Sequence, residues 1–290
     1  MKNAGCLGML LLVFFLQGKA QELHRLSFQT EEEMYAYFRY APGKQIISGH
    51  RGTKEAGMPE NSIPALEAVL KHTTAIFEVD PRLTKDSVPV MVHDQTLDRT
   101  TTGKGNVRDY TWAELQRFRL KDAQGRETPH PINTLDELIE WAKGKTILNL
   151  DKKDLPMELT ARIIARHQAY AWVWVTVHNV EQARFYLKKS PKQFLSMHVR
   201  TAQALEELLQ ADLPFDRMIV YIGPEIVAAN RMFYEALNRR GVMCMISTAP
   251  TYDKLDNPAD RADKYRAVFA DGASILESDL PIEVHQATAN

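Results

Sequence analysis

Cysteine is nearly absent from this chain: Cys6 and Cys244 are the only two in 290 residues. There is no excess of positive charge either, with 36 Lys and Arg against 37 Asp and Glu. Neither nucleic acid nor an anionic membrane surface is therefore expected as a partner. No glycine-rich phosphate loop follows the first strand-like run, which removes the main signal for a doubly wound nucleotide-binding sheet. No low-complexity linker or internal repeat divides the chain. The composition is otherwise that of a globular protein, 44% hydrophobic and 25% charged, long enough to bury a large core.

Long apolar runs are missing too, with one exception. Lys2 precedes "CLGMLLLVFFL" (Cys6–Leu16), and "QGKA" follows, with Gly18 and Ala20 at the small-residue positions of a cleavage site. Residues 1–20 read as a secretory signal peptide, leaving residues 21–290 as a single domain that is expected to be periplasmic or secreted. The run is too short to span a bilayer, so no stable membrane insertion is expected. Cys6 stands at the very start of the run, badly placed for lipid attachment. Without residues 1–20, which hold Lys2 and Lys19, the net charge is −3. Only Cys244 remains, so no internal disulfide is possible and the core must stabilise an exported fold alone. Cys244, within "GVMCMI", reads as a small buried hydrophobe.

What the chain has in quantity is alternation. Nine β-rich runs ("KQIISGH", "AIFEVD", "VPVMVHD", "TILNLD", "AWVWVTVH", "QFLSMHV", "RMIVYIG", "GVMCMIST" and "ASILESD") are mostly separated by amphipathic helical patterns. Leu135, Leu138, Ile139 and Ala142 share one helix face, as do Ala65, Leu66, Val69 and Leu70. Such alternation predicts βαβ units and a parallel sheet, best closed as an eight-stranded (β/α)8 barrel. Nine candidates are one too many. The second and third are joined by "PRLTKDS", too short for a helix, so an irregular hairpin connection is expected there. "ELHRLSFQTEEEMYAYF" is expected to form a helix covering the barrel bottom. Trp172 and Trp174 are assigned to packing.

Barrel chemistry sits where strands end. His50 and Arg51 end the first run, Glu78 and Asp80 the second, His93 and Asp94 the third, and Asp151 and Lys153 the fourth. Glu78 and Asp80 are two residues apart and share a strand face, as do Asp151 and Lys153. Three convergent carboxylates call for a cation, and an all-oxygen set suits Mg²⁺ or Ca²⁺ better than Zn²⁺. Arg51 and Lys153 beside them make an anion site. His50 and His93 can serve as general base and general acid. Together these residues suggest cleavage of a phosphodiester. His178, Glu60 and Asn61 are further candidates for the mouth. His24, His72, His130, His167, His198 and His285 are assigned to the surface or to structural roles.

The ordered motifs "ISGHRG", "PENS", "FEVDPRLTKDSVPVMVHDQTLDRTTTGKG", "TWAEL", "INTLDEL", "LNLDKK" and "ILESDLP" resemble those of the glycerophosphodiester phosphodiesterase family across nearly the whole chain. The resemblance implies an α/β barrel of the phospholipase-C-like phosphodiesterase type. It places the metal ligands at Glu78, Asp80 and Asp151, the catalytic pair at His50 and His93, and phosphate-binding groups at Arg51 and Lys153. The reaction it implies is hydrolysis of a small-molecule glycerophosphodiester to sn-glycerol 3-phosphate and an alcohol. Asp151 stands where the family usually has Glu. A Glu-Asp-Asp set also resembles sphingomyelinase-D-like enzymes, so cleavage of (lyso)phospholipid headgroups is the alternative. Ser87 replaces the usual turn glycine. The family's Ser-Phe near "TVHN" and its Trp-Thr near "MISTAP" are absent, which leaves the headgroup alcohol open.

Overall fold

The computed structural model describes residues 22–289; the segment read as a signal peptide lies outside the described residues. The chain runs α1 (Glu31–Tyr37), β1 (Ile46–His50), α2 (Ile63–Leu70), β2 (Ile76–Val79), β3 (Pro81–Leu83), β4 (Pro89–Met91), α3 (Trp112–Leu115) and α4 (Leu135–Ala142). It continues through β5 (Leu148–Leu150), α5 (Met157–His167), β6 (Val173–Val177), α6 (Val180–Lys189), β7 (Leu195–His198), α7 (Ala202–Gln210) and β8 (Met218–Gly223). It ends with α8 (Asn230–Asn238), β9 (Met243–Ser247), α9 (Pro258–Asp271), β10 (Ile275–Ser278) and α10 (Pro281–Thr288). Eight strands close a parallel barrel in the order β1-β10-β9-β8-β7-β6-β5-β2. This is the (β/α)8 fold that the alternation predicts.

The ninth strand candidate is now placed. "VPVMVHD" contains β4, which leaves the barrel and pairs antiparallel with β3, a short strand inside "PRLTKDS". The hairpin turns at Ser87, whose φ of +62° is left-handed. Thr84 braces that turn: its Oγ1 accepts from Val88 N at 2.9 Å and donates to Asp86 at 2.6 Å. From β4 the chain makes a long excursion before α4, with its own apolar cluster of Val90, Val92, Leu97, Val107, Leu115 and Ile132. That independent core lets the excursion hold a fixed shape over the mouth rather than behave as a loop.

Local signals start the helices where the site needs them. Ser62 caps α2 and Pro64 lies in its first turn. Thr134 and Glu137 form a reciprocal capping box on α4. The apolar face of α4 is buried as expected, with Leu135, Leu138, Ile139 and Ala142 against the barrel.

The barrel bottom is sealed by the N-terminal segment. Met34 of α1 and Phe38 just after it are buried with Ile46, Trp174, Phe194 and Ile219. Phe38 meets the Trp174 ring edge-on at 4.4 Å, and Trp174 stacks on Phe194 at 4.4 Å. Trp172 donates its indole N–H to Ile139 O at 3.0 Å. Both tryptophans thus have the packing roles assigned to them. Cys244 is buried, and desolvation holds its thiol well above the usual range.

Candidate active site

β1 sits between β2 and β10, and parallel register fixes what meets at its end. His50 lies opposite Glu78, and Ser48 opposite Glu277. A cavity of about 530 Å³ opens at this end of the barrel, reached by His50, Arg51, Glu78, Asp151, Glu277 and Asp279 among others.

Glu78, Asp80 and Asp151 converge: one oxygen from each lies within 4.8 Å of the others. Glu78 and Asp80 are buried, at 8% and 0% exposure. Their surroundings nevertheless differ. Asp80 accepts from Asn61 Nδ2 at 2.7 Å and pairs with Arg51 Nε at 3.2 Å and Lys153 Nζ at 3.0 Å. Burial opposes its ionisation, but Arg51, Lys153 and His93 hold its pKa down at about 2. Glu78 is compensated less: the charge of Arg51 favours its ionised form but is outweighed. Its Oε2 is buried without a hydrogen-bond partner, and His50 Nε2 lies 3.8 Å away. Burial, then the charges of Asp80, Asp151 and Glu277, push its pKa well up. An orphaned carboxylate oxygen beside two further carboxylates fits a hard divalent cation with oxygen ligands. Glu78, Asp80 and Asp151 are the residues that could hold it.

The two cationic side chains sit against these carboxylates. Lys153 bonds Asp151 at 2.5 Å as well as pairing with Asp80. Arg51 adopts a left-handed φ of +62°, which turns the chain sharply after β1. Asn61 is left-handed too (φ +58°), and it clamps the strand ends together. Its N–H donates to Arg51 O at 2.8 Å, while its Oδ1 accepts from Asp80 N at 2.8 Å. Asn61 therefore belongs to the site, and so does Glu60, which Arg51 contacts at 3.3 Å.

Each of the two expected imidazoles is oriented by a carboxylate. His50 Nδ1 lies 2.7 Å from Asp279 Oδ1, and His93 Nδ1 lies 2.7 Å from Asp94 Oδ1. These partners direct the Nδ1 protons to the carboxylates and leave both Nε2 atoms open. Desolvation would raise the Asp279 pKa, but the bond from His50 and the charge of Lys54 hold it well below the usual range. Asp253 in turn braces the end of β10, accepting from Asp279 N at 2.7 Å and from Ser278 Oγ at 2.8 Å.

His93 is not on a barrel strand; it follows β4 on the excursion, where Arg82 Nε holds its carbonyl at 2.7 Å. Arg99 locks that arm to the barrel. Its guanidinium donates to Asp94 at 2.8 and 3.0 Å and to Glu60 twice at 2.8 Å. Such doubly bidentate geometry is rigid.

Four site residues escaped the sequence reading. Glu277 and Asp279 in "LESD" repeat the two-residue spacing of Glu78 and Asp80, and that repetition was the available signal. Arg99 carried no signal beyond its motif. His198 was assigned to surface or structure, and the structure corrects this: it lines the cavity at the end of β7. It packs between His178, at 4.5 Å, and Tyr221, at 4.7 Å. Burial, reinforced by neighbouring His178, lowers its pKa to about 4.

Fold and site together define an α/β barrel with an acidic, metal-competent mouth flanked by two oriented histidines. Residues 50–246 match the glycerophosphoryl diester phosphodiesterase family, and the chain belongs to that family. A glycerophosphodiester phosphodiesterase of Caldanaerobacter subterraneus is 39% identical over 106 residues, 36% of this chain and 43% of that protein. The chain spans under half the length of the first curated relatives it matches. The crystal structure of a glycerophosphoryl diester phosphodiesterase from Parabacteroides distasonis is 47% identical, covers 92% of this chain and 94% of that one, and superposes with a TM-score of 0.90. An Oleispira antarctica phosphodiesterase, solved with the product sn-glycerol 3-phosphate, shares the fold at 18% identity and a TM-score of 0.66, covering 89% of this chain and 99% of that one.

Proposed function

We propose that this protein hydrolyses glycerophosphodiesters to sn-glycerol 3-phosphate and an alcohol. The observation that carries the reading is the convergence of Glu78, Asp80 and Asp151 within 4.8 Å beside His50, whose Nδ1 is held by Asp279. Family membership and the names of the relatives support it. When bound, a divalent cation, Mg²⁺ or Ca²⁺, would supply positive charge to the phosphate oxygens.

The chain's own residues account for the rest. Arg51 and Lys153 supply guanidinium and ammonium donors to the phosphate. His50 and His93 present free Nε2 atoms. One, neutral, takes a proton on Nε2 from the attacking water, and the other, entering as the imidazolium with a proton on Nε2 as well as on Nδ1, gives its Nε2 proton to the departing alcohol oxygen. The new P–O bond and the broken one leave a phosphomonoester and a neutral alcohol. Arg99 and Asp94 keep His93 fixed while this happens. The apolar run ahead of residue 21 supports our proposal that the reaction takes place outside the cytoplasm.

Release of sn-glycerol 3-phosphate from glycerophosphocholine, -ethanolamine and -inositol, with Mg²⁺ or Ca²⁺, tests the reading. EDTA should abolish turnover reversibly. His50→Ala or His93→Ala should lower kcat by roughly 10²–10⁴ while folding survives. Full activity in the double variant would exclude this mechanism. Lysophospholipids, the class suggested by Asp151, should be poorer substrates than the water-soluble diesters. Among the described residues, no helix is long and apolar enough to cross a membrane.

A further inference from the structure

The connection from β9 to α9 forms part of the wall of the catalytic cavity, through Ala249, Pro250 and Lys254. Between the last two, a short 3-10 turn (Tyr252–Lys254) carries Asp253, which does not line the cavity. Its carboxylate accepts from four groups of the protein. Oδ1 takes the hydroxyls of Thr248 at 2.7 Å and Tyr265 at 2.9 Å. Oδ2 takes Ser278 Oγ at 2.8 Å and Asp279 N at 2.7 Å. Thr248, Tyr265 and Ser278 are fully buried. The end of β9, the middle of α9 and the end of β10 thus meet on one side chain. A carboxylate has about four lone-pair sites, so Asp253 has none left for a ligand. Whatever it does for the chemistry, it does through its neighbours.

The neighbour that matters is Asp279, the residue that aims His50. The N–H of Asp279 goes to Asp253, and its carbonyl accepts from Lys54 N at 3.1 Å. Oδ2 pairs with Lys54 Nζ and with Lys254 Nζ, the latter at 3.5 Å. Oδ1 is left for His50 Nδ1 at 2.7 Å. The two lysine side chains are 38% and 58% exposed, and long exposed side chains make weak anchors. Asp253 is short and is itself held from three elements. It is therefore the firmer of the restraints on Asp279, and a bond as short as that to His50 tolerates little displacement of its acceptor.

We propose that Asp253 is a positioning residue for His50, acting through Asp279 by where its oxygens stand and not by its charge. The proposal rests on the hydrolase reading only where turnover is the readout; the orientation of the imidazole is measurable without it.

Three replacements separate position from charge. In Asp253→Asn the amide oxygen can take Asp279 N and Ser278 Oγ, while the amide N–H groups donate to the Thr248 and Tyr265 hydroxyls, which can accept as well as donate. Asp253→Glu keeps the charge but moves the oxygens by a methylene, and Asp253→Ala removes them. The first readout is the low-field proton resonance of His50 Nδ1–H, recorded with Mg²⁺ present and assigned by its loss in His50→Gln. Asp253→Asn should leave that resonance and kcat close to native. Asp253→Ala and Asp253→Glu should shift or broaden it and lower kcat by about tenfold or more, with KM little changed. Phe38→Ala, which destabilises the far end of the barrel, should leave both readouts native, so loss of stability alone does not imitate the effect. Where Asp253→Ala does not fold, the comparison of Asn with Glu decides. A native Glu variant beside an impaired Asn variant would show that charge is what acts, and would overturn the proposal. A native resonance in Asp253→Ala, or no such resonance in the native protein, would overturn it too. The expected resonance pattern in a protein without turnover sinks the hydrolase and keeps the positioning role. Turnover indifferent to all three replacements does the reverse.

Discussion

His50 and Asp279 are joined by a 2.7 Å bond that crosses from the first barrel strand to the residue after the last. The bond fixes which imidazole nitrogen faces the cavity. Asp279→Ala removes the one partner that His50 Nδ1 has within hydrogen-bond distance among the described residues, and frees the ring to rotate. We expect kcat to fall by on the order of 10², with KM for glycerophosphodiesters little changed, since no phosphate contact is lost. Asp279→Asn, whose amide oxygen can still accept, should recover part of the loss. A variant with native kcat would show that His50 needs no orientation.

Glu78 is the carboxylate with least compensation, and this has a measurable consequence. Glu78→Gln should stabilise the metal-free protein, because a buried charge is replaced by a neutral amide of the same shape. The same change should remove most of the metal-dependent rise in thermal midpoint. A site filled at 100 times its Kd adds about 2.7 kcal/mol. Thermal scans with EDTA and with Mg²⁺ or Ca²⁺ measure both effects. Equal metal stabilisation of the native and variant proteins would show that the cation binds elsewhere.

How far the sequence led depends on which force placed each residue. Helix faces and strand order follow from periodicity, which is local, and α4 and the eight barrel strands lie where the pattern put them. Glu78, Asp80, Asp151 and His50 were legible because a strand end in a barrel has only one place to go. His93 was assigned to a strand end but sits on an excursion with its own core, because β4 pairs with β3 rather than with the barrel. Asp279 and Glu277 were missed although "LESD" copies the spacing of "FEVD". Their role depends on β10 closing against β1, a contact between the two ends of the chain that no local pattern records. His198 was missed for the same reason. A single imidazole reads as structural until Tyr221 and His178 are brought against it.

His198 gives a stability signature. Its folded pKa of about 4 lies below the unfolded value near 6.5, so the unfolded chain takes up the proton first. The contribution is complete above about pH 6.5 and is lost progressively as the pH falls toward 4. His198→Gln should flatten this part of the stability–pH curve. Urea midpoints of the two proteins at pH 7, 5.5 and 4.5 check the point; parallel curves would refute it.

Ser87 occupies a left-handed turn position that the family usually gives to glycine. A residue with a Cβ pays roughly 1–2 kcal/mol there, partly offset in glycine by its greater freedom when unfolded. Ser87→Gly should therefore stabilise the protein by about 0.5–1 kcal/mol and leave turnover unchanged, since Ser87 is not among the residues lining the catalytic cavity. A loss of stability would mean that the serine hydroxyl makes a compensating bond.

The bottom seal rests on Phe38 and Trp174 in edge-to-face contact. Phe38→Ala should cost about 3–5 kcal/mol in chemical denaturation. A loss below 1 kcal/mol would show that the N-terminal segment merely lies against the barrel.

The repeated acidic pairs at the ends of β2 and β10 stand on either side of β1, the strand where the ring closes. The chemistry therefore lies across the seam of the barrel. During synthesis, the acidic cradle of Glu78, Asp80 and Asp151 leaves the ribosome more than a hundred residues before Asp279. A growing or truncated chain can carry the whole metal-ligand set and one imidazole with its carboxylate, yet lack the partner that aims the other. On the proposed function, full turnover would report that the last strand has docked and would itself signal that folding has finished.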